Sequence, residues 1–144
     1  MYFEDFVPGK QALTPERKIT TIHLDAFLDI FGLQLPMFMN DEGAQQICHE
    51  QRLIPGPMIF SLAMGLVKEI GWFDHVVAAI AFDELRFKKA LHPEHSVKAE
   101  VTVKDARSTK NPKRGVVTLT FKVINQKGET VLSAEGKYLI QKRP

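Results

Sequence analysis

The sequence predicts an α+β fold in which one curved antiparallel sheet wraps a single long, buried helix. Three observations predict it. Residues 57–70 form a run with only Ser61, Gly65, Lys68 and Glu69 off the apolar set, and a helix apolar nearly all round is a buried helix. From Val76 onward the hydrophobic period falls from about 3.6 to 2, the signature of strands with one wet and one dry face. The lengths also suit each other, because residues 57–70 as a helix span roughly 20 Å and a ten-residue strand roughly 33 Å.

Taken in order, residues 1–16 are polar and turn-rich, with Pro8-Gly9 and Pro15 as punctuation, and read as an extended arm. A short strand is expected over 18–20. Thr21 then caps a helix whose apolar positions Ile22, Ala26, Phe27 and Ile30 recur at spacings of three and four, with Gly32 ending it. The stretch 33–53 is irregular, save for a short helix over 41–48. Pro57 suits the first turn of the long helix, because its missing N–H would be unpaired there anyway. Strands follow over 76–87, 97–104, 117–123 and 130–140, in antiparallel succession. Asn125-Gln126-Lys127-Gly128 supplies hairpin chemistry between the last two. An open sheet leaves an edge strand, so pairing of two chains along that edge is expected.

At 144 residues, 44% hydrophobic and 25% charged, the chain is expected to form one domain over 1–144. Nineteen Lys and Arg against 17 Asp and Glu leave a net charge of +2. That is too little for whole-protein attraction to nucleic acid or membrane. Cys48 is the single cysteine, which excludes an intrachain disulfide and cysteine-based zinc or redox motifs. The first residues, Met1-Tyr2-Phe3-Glu4-Asp5, do not read as a secretion signal, and the expected location is the cytoplasm. The greasiest stretch, 54–67, is broken by Pro55, Gly56 and Pro57 and is too short to span a bilayer.

Several segments are similar to a known family. Tyr2-Phe3-Glu4-Asp5-Phe6-Val7-Pro8-Gly9, then Lys18-Ile19-Thr20-Thr21 and a helix ending at Phe31-Gly32, then Leu85-Arg86-Phe87, the charged alternating strand 97–104 and the run 123–131 follow one another in the family's order and spacing. The chain resembles, over almost its whole length, the MaoC-like dehydratases and (R)-specific enoyl-CoA hydratases of the hotdog fold. The resemblance implies a domain that binds an acyl thioester, usually acyl-CoA, in a tunnel between two subunits. Active members, lyases of fatty acid metabolism, add or remove water across the 2,3 bond of the acyl chain. That chemistry needs a base for the water, an acid for the neighbouring carbon, and N–H donors for the charge on the thioester oxygen.

The family supplies acid and base from Asp-x-Asn-Pro-Leu-His just after the first helix. Here the corresponding run is Leu33-Gln34-Leu35-Pro36-Met37-Phe38, so the Asp position holds Leu33 and the His position Phe38, with Pro36 alone matching. Neither Leu nor Phe transfers a proton, and loss of one member of a catalytic unit removes most of its rate. Replacement candidates are Asn40, Asp41, Glu42, Cys48, His49 and Glu50, of which Asp41 and His49 stand out. Asp41 and Glu42 also suit a helix N-terminus, and His49 also reads as a loop residue. Gly56 occupies the position where the family presents a backbone N–H to the thioester carbonyl, or simply turns the chain between two prolines. The expected substrate contacts are Gly56, Pro36, Asn40, Arg107 and Lys110.

Arg107, Lys110, Lys113 and Arg114 form the one basic cluster, either a solvated hairpin tip or a contact for the phosphates of CoA or of a carrier-protein arm. It lacks the aromatic residues that stack nucleic-acid bases. His92 and His95 flank Pro93-Glu94 with no third clustered ligand, so a loop is expected and no metal. Trp72 and Phe73 read as core or interface anchors. Ser61, without a Gly-x-Ser-x-Gly setting, reads as a small packing residue.

The leading expectation is an acyl-thioester-binding protein related to the hydratases, without the usual dyad, needing no cofactor and assembling as a homodimer or higher homo-oligomer. One alternative is a non-catalytic partner of an active hotdog subunit or of another acyl-processing enzyme. A hotdog thioesterase is the other, weakened by a long helix with no acidic residue before Glu69.

Overall fold

The computed structural model describes residues 1–144. A short 3-10 turn at Phe3–Asp5 precedes β1 (Gln11–Leu13), β2 (Arg17–Lys18), α1 (Thr21–Phe31), α2 (Pro36–Met39), α3 (Asp41–Gln45) and α4 (Gly56–Glu69). Then come β3 (Val76–Phe87), β4 (Ser96–Ser108), β5 (Arg114–Asn125) and β6 (Thr130–Gln141). The strands make one antiparallel sheet in the order β1-β4-β5-β6-β3, with β2 also on β4. No helix is long and apolar enough to cross a membrane.

The last three strands form the meander that their period and turn residues dictate. Asn125 turns the chain by accepting at Oδ1 from the N–H groups of Lys127 and Glu129, both at 3.0 Å, and Gly128 takes the positive φ of +77° that the turn requires. The expected simple succession of four strands is corrected by β3, which pairs with β6 and not with its sequence neighbour β4. The segment 88–95 joins β3 to β4 across the end of the sheet, so β3 becomes an edge. Its burial follows: Val77, Ile80, Phe82, Leu85 and Phe87 are all exposed.

The concave face of the sheet packs on α4, whose Ile59, Ala63, Leu66 and Val67 join Val101, Leu119 and Phe121 in the core. The helix is less sheathed than its composition implies. Phe60 and Met64 are only half-buried, and the Phe60 ring meets Phe82 of β3 edge-on at 4.8 Å. One flank of α4 thus opens toward the exposed edge.

Three further expectations need correction. In α1 the buried residues are Leu24 and Leu28, whereas Ile22 is 77% and Ile30 72% exposed. Both stripes are apolar at helical spacing, and only packing into the core chooses between them. The cap is Thr20, which accepts from the His23 N–H at 3.3 Å, one residue before the expected Thr21. The arm is not simply extended, since the 3-10 turn and β1 interrupt it, and the strand expected over 18–20 is Arg17–Lys18.

The face of α1 is open to a direct check. Leu28→Ala should cost about 2–5 kcal/mol by cavity formation, and Ile22→Ala within about 0.5 kcal/mol as a surface change. Urea unfolding of the two variants side by side would show equal costs if the helix were turned the other way.

Candidate functional site

The start of α4 is the natural centre of a site. Pro55 holds an extended backbone, Gly56 opens the helix, and Pro57 brings no N–H. The Gly56 N–H makes no hydrogen bond within the chain, as first-turn donors of a helix ordinarily do not. Beside it lies a cavity of about 380 Å³, at the lower end of the usual range for small-ligand pockets. Leu53, Ile59 and Leu91 line its apolar interior, Phe38 and Phe87 are further walls, and Lys88 and Lys89 belong to its rim. Two backbone bonds tie the wall segments together, Leu53 N–H to Met37 C=O at 2.9 Å and Ile54 N–H to Leu91 C=O at 2.8 Å.

Gly56 has a structural role that the sequence did not disclose. A Cβ at this position would stand 2.5 Å from the Phe87 ring, so glycine lets the half-exposed phenyl group of the edge strand lie against the helix start.

The other site candidates scatter. Leu33 lines a second cavity of about 320 Å³ with Phe27, Phe31, Pro57 and Ser61, and Phe38 is 8% exposed. Asn40 Oδ1 accepts from the Gly43 N–H at 2.7 Å and caps α3. Asp41 Oδ1 accepts from the Arg52 N–H at 2.9 Å, and Pro36 is the first residue of α2. His49 is half-buried and lines neither cavity, and Glu42, Cys48 and Glu50 are exposed. The helix expected over 41–48 ends at Gln45, and Cys48 turns the chain with φ +68°. No carboxylate or imidazole lines either cavity.

Arg52, not singled out by its sequence setting, holds this region together. Its Nη2 donates to Asp25 Oδ1 of α1 at 2.7 Å and its Nε to the Phe38 carbonyl at 3.0 Å. Of the rim lysines, Lys89 is ion-paired to Glu129, and this pairing holds the Glu129 carboxyl below its ordinary range. Arg107 and Lys110 are not near Gly56 in the same chain, because the β4–β5 hairpin lies at the opposite end of the strands.

No family model matches the sequence. A curated relative, Protein MaoC of Klebsiella aerogenes, is 28% identical over 103 residues, which is 72% of this chain but 30% of that protein. The chain therefore spans under a third of the length of the relative it matches. An Archaeoglobus structure described as a monoamine oxidase regulatory protein superposes with a TM-score of 0.91 at 26% identity, covering 100% of this chain and 96% of the other. The fold is that of the MaoC-like dehydratases, a hotdog. The (R)-hydratase of A. caviae, involved in PHA biosynthesis, shares it at a TM-score of 0.76 and 22% identity, over 96% and 97% of the two chains. In hotdog terms α4 is the central helix and the six strands are the wrapping sheet.

The remaining constellations are structural. His92 Nδ1 lies 3.1 Å from the Arg52 carbonyl, and the His92 and His95 rings stand edge to face at 5.5 Å. No group of three potential metal ligands forms there or elsewhere. Glu94 accepts from the Thr21 N–H at 3.2 Å and so joins this loop to the start of α1. Trp72 is buried against Phe6, and Phe73 packs on Tyr138. Ser61 Oγ donates to the Pro57 carbonyl one turn back at 3.0 Å. Tyr138, buried on the sheet, donates its hydroxyl to Met64 Sδ at 3.1 Å, and burial raises its pKa far above the ordinary range.

Two outcomes follow from these contacts. Gly56→Ala should cost about 1–3 kcal/mol as an overpacking change, and Phe87→Ala in the same chain should recover most of it. A double-mutant cycle in urea reads the coupling, and additive effects would deny the contact. Burial, aided by the positive neighbours His92 and Lys127, depresses the His95 pKa below its ordinary 6.5. The neutral ring is favoured in the folded chain, so its stabilising contribution is present above pH ~6.5 and lost as pH falls through the lower folded value. Melting temperatures at pH 7.5 and 5.0 should therefore differ less for His95→Gln than for the unaltered protein.

Proposed function

We propose that the chain binds an acyl thioester at the start of α4 and does not hydrate it by the acid and base of the active hydratases, working as a pair of chains joined along β3. One observation carries this reading: an apolar cavity adjoins the unpaired Gly56 N–H, while no carboxylate or imidazole lines it. A thioester carbonyl against that N–H would sit at the positive end of a fourteen-residue helix. The acyl chain would be held by Phe38, Leu53, Ile59 and Leu91. With Leu33 and Phe38 at the dyad positions, no carboxylate or imidazole is left in the cavity wall to serve as the acid or base of hydration. Asn40 and Asp41 already hold backbone N–H groups of the surrounding loop, which is why they are not read as replacements.

The dimer in this proposal is supported by the twelve-residue edge of β3 and its exposed apolar side chains. The same edge admits a different hotdog chain, and co-purification would reveal such a mixed complex. A thioesterase reading gains nothing from α4, where Glu69, the first acid, is ion-paired to Arg17 at the far end of the helix.

Incubation with crotonyl-CoA tests the proposal. Calorimetry should register binding, while the loss of enoyl absorbance that marks hydration should not exceed background. Rapid hydration abolished by His49→Ala would overturn the reading. Leu33→Asp with Phe38→His should raise hydration ~10-fold or more, since positioned acid–base groups contribute factors of that order and above.

A further inference from the structure

The four cations Arg107, Lys110, Lys113 and Arg114 are all exposed, and none is in an ion pair. They stand on an ordered tip. Thr109 Oγ1 donates to the Arg114 carbonyl at 3.0 Å, Asn111 Oδ1 accepts from the Lys113 N–H at 2.9 Å, and the Lys142 N–H donates to the Lys113 carbonyl at 2.8 Å. The acids at this end are engaged elsewhere, since Arg143 takes Asp5 through its guanidinium and Glu4 through its backbone N–H. Asp74, just before β3 at this end, is ion-paired to Lys68, and Asp105 stands two residues before Arg107 on β4.

The register of the sheet says which pocket this tip can serve. Phe87 pairs with Leu132, which pairs with Val123, so the cavity belongs to that row. Val76 pairs with Ile140, Ile140 with Gly115 and Gly115 with Ser108, so the basic tip belongs to the opposite row. The eight steps from 132 to 140 along β6 are ~26 Å at the rise of a strand. Within one chain, the cations are therefore remote from the cavity.

Two-fold pairing of β3 with a second copy of β3 reverses that relation. An antiparallel register covering the whole strand sets 76 against 87, 77 against 86, 79 against 84 and 80 against 83. Asp83, Glu84 and Arg86 then each face an apolar residue, with no like charges opposed, and they are already served within their own chain by Lys137 and by one another. The Val76 end of one copy lies beside the Phe87 end of the other. From β3 of the first chain to β5 and β4 of the second is three to four strand spacings, ~14–19 Å. A phosphopantetheine arm is about as long as five extended residues, ~17 Å.

We infer that the basic hairpin binds the phosphates of a CoA thioester in trans, serving the cavity of the partner chain and not its own. The inference rests on the acyl-thioester reading above. It makes each site incomplete in a single chain, because the acyl end is held by one copy and the nucleotide end by the other. Charge-assisted contacts from two arginines and two lysines suit a diphosphate with a further phosphate close by.

The test uses butyryl-CoA and butyryl-pantetheine, which differ in the phosphate-bearing end. In the chain carrying Arg107→Gln, Lys110→Gln, Lys113→Gln and Arg114→Gln, the affinity ratio of the first to the second should fall at least ~10-fold, and the salt dependence of butyryl-CoA binding should flatten. A mixed dimer of this chain with one carrying Ala90→Trp, which fills the cavity rim, should retain one tight butyryl-CoA site, while neither parent homodimer has any. An unchanged ratio would overturn the inference and leave the acyl-thioester reading standing. A mixed dimer without a tight site would place the contact in cis, and a monomeric protein in sedimentation would overturn it as well. If the unaltered protein binds neither thioester, the underlying reading falls and this inference with it.

Discussion

The packing of α4 on the concave face of β4, β5 and β6 is the constraint on which the rest of the structure depends. Ala63, Leu66 and Val67 are sealed completely against the sheet, and at about 25 cal/mol per Å² of apolar surface such burial dominates the stability of a domain this size. The helix and the strands differ in length. Fourteen helical residues span ~21 Å, whereas strands of twelve and thirteen residues run to ~40 Å. Sheet surface is therefore left over at both ends of the helix. At the C-terminal end it is filled by Trp72, Phe6 and the N-terminal arm. At the N-terminal end the filling comes from residues 33–54, and it is incomplete, which is the physical origin of the cavity beside Gly56.

That filling segment has little regular structure, and side-chain to backbone bonds hold it instead. Arg52 reaches Asp25 and the Phe38 carbonyl, Asp41 takes the Arg52 N–H, and Asn40 caps α3. The carboxylates among them, Asp25 and Asp41, are used to fix a loop, and Leu33 and Phe38 are among the residues that line the cavities. Such a lining offers shape and apolar contact, with the Gly56 N–H as a backbone donor at its edge.

The edge strand would couple the site to assembly in the proposed pair of chains. Phe87 belongs at once to β3, to the cavity wall and to the space that Gly56 leaves open. Covering the exposed residues of β3 would remove apolar surface from water and satisfy the unpaired backbone of the edge. It would also narrow the approach to the cavity. The unsheathed flank of α4, with Phe60 against Phe82, points the same way.

How much of this was legible in the sequence depends on whether the signal was local. The long helix, the period-two strands, the hairpin at Asn125 and the glycine ending α1 could be read directly, because periodicity, turn chemistry and positive φ are properties of neighbouring residues. The order of strands could not, because β3 and β4 are sequence neighbours whose connection crosses the sheet end, and pairing is decided by which edge is free after the meander forms. Nor could the buried face of α1, where two apolar stripes compete until one meets the core. The site divides in the same way. The sequence by itself determined that the run after the first helix carries Leu33 and Phe38, where the resemblance would put an acid and a histidine, and that a glycine precedes Pro57 at the start of the long helix. Only the tertiary structure decided that Asn40 and Asp41 hold backbone groups, that Gly56 makes room for Phe87, and that the basic hairpin lies a full strand length from the cavity of its own chain. Each of these is a relation between residues far apart in the chain, fixed by packing and register, and no local pattern encodes it.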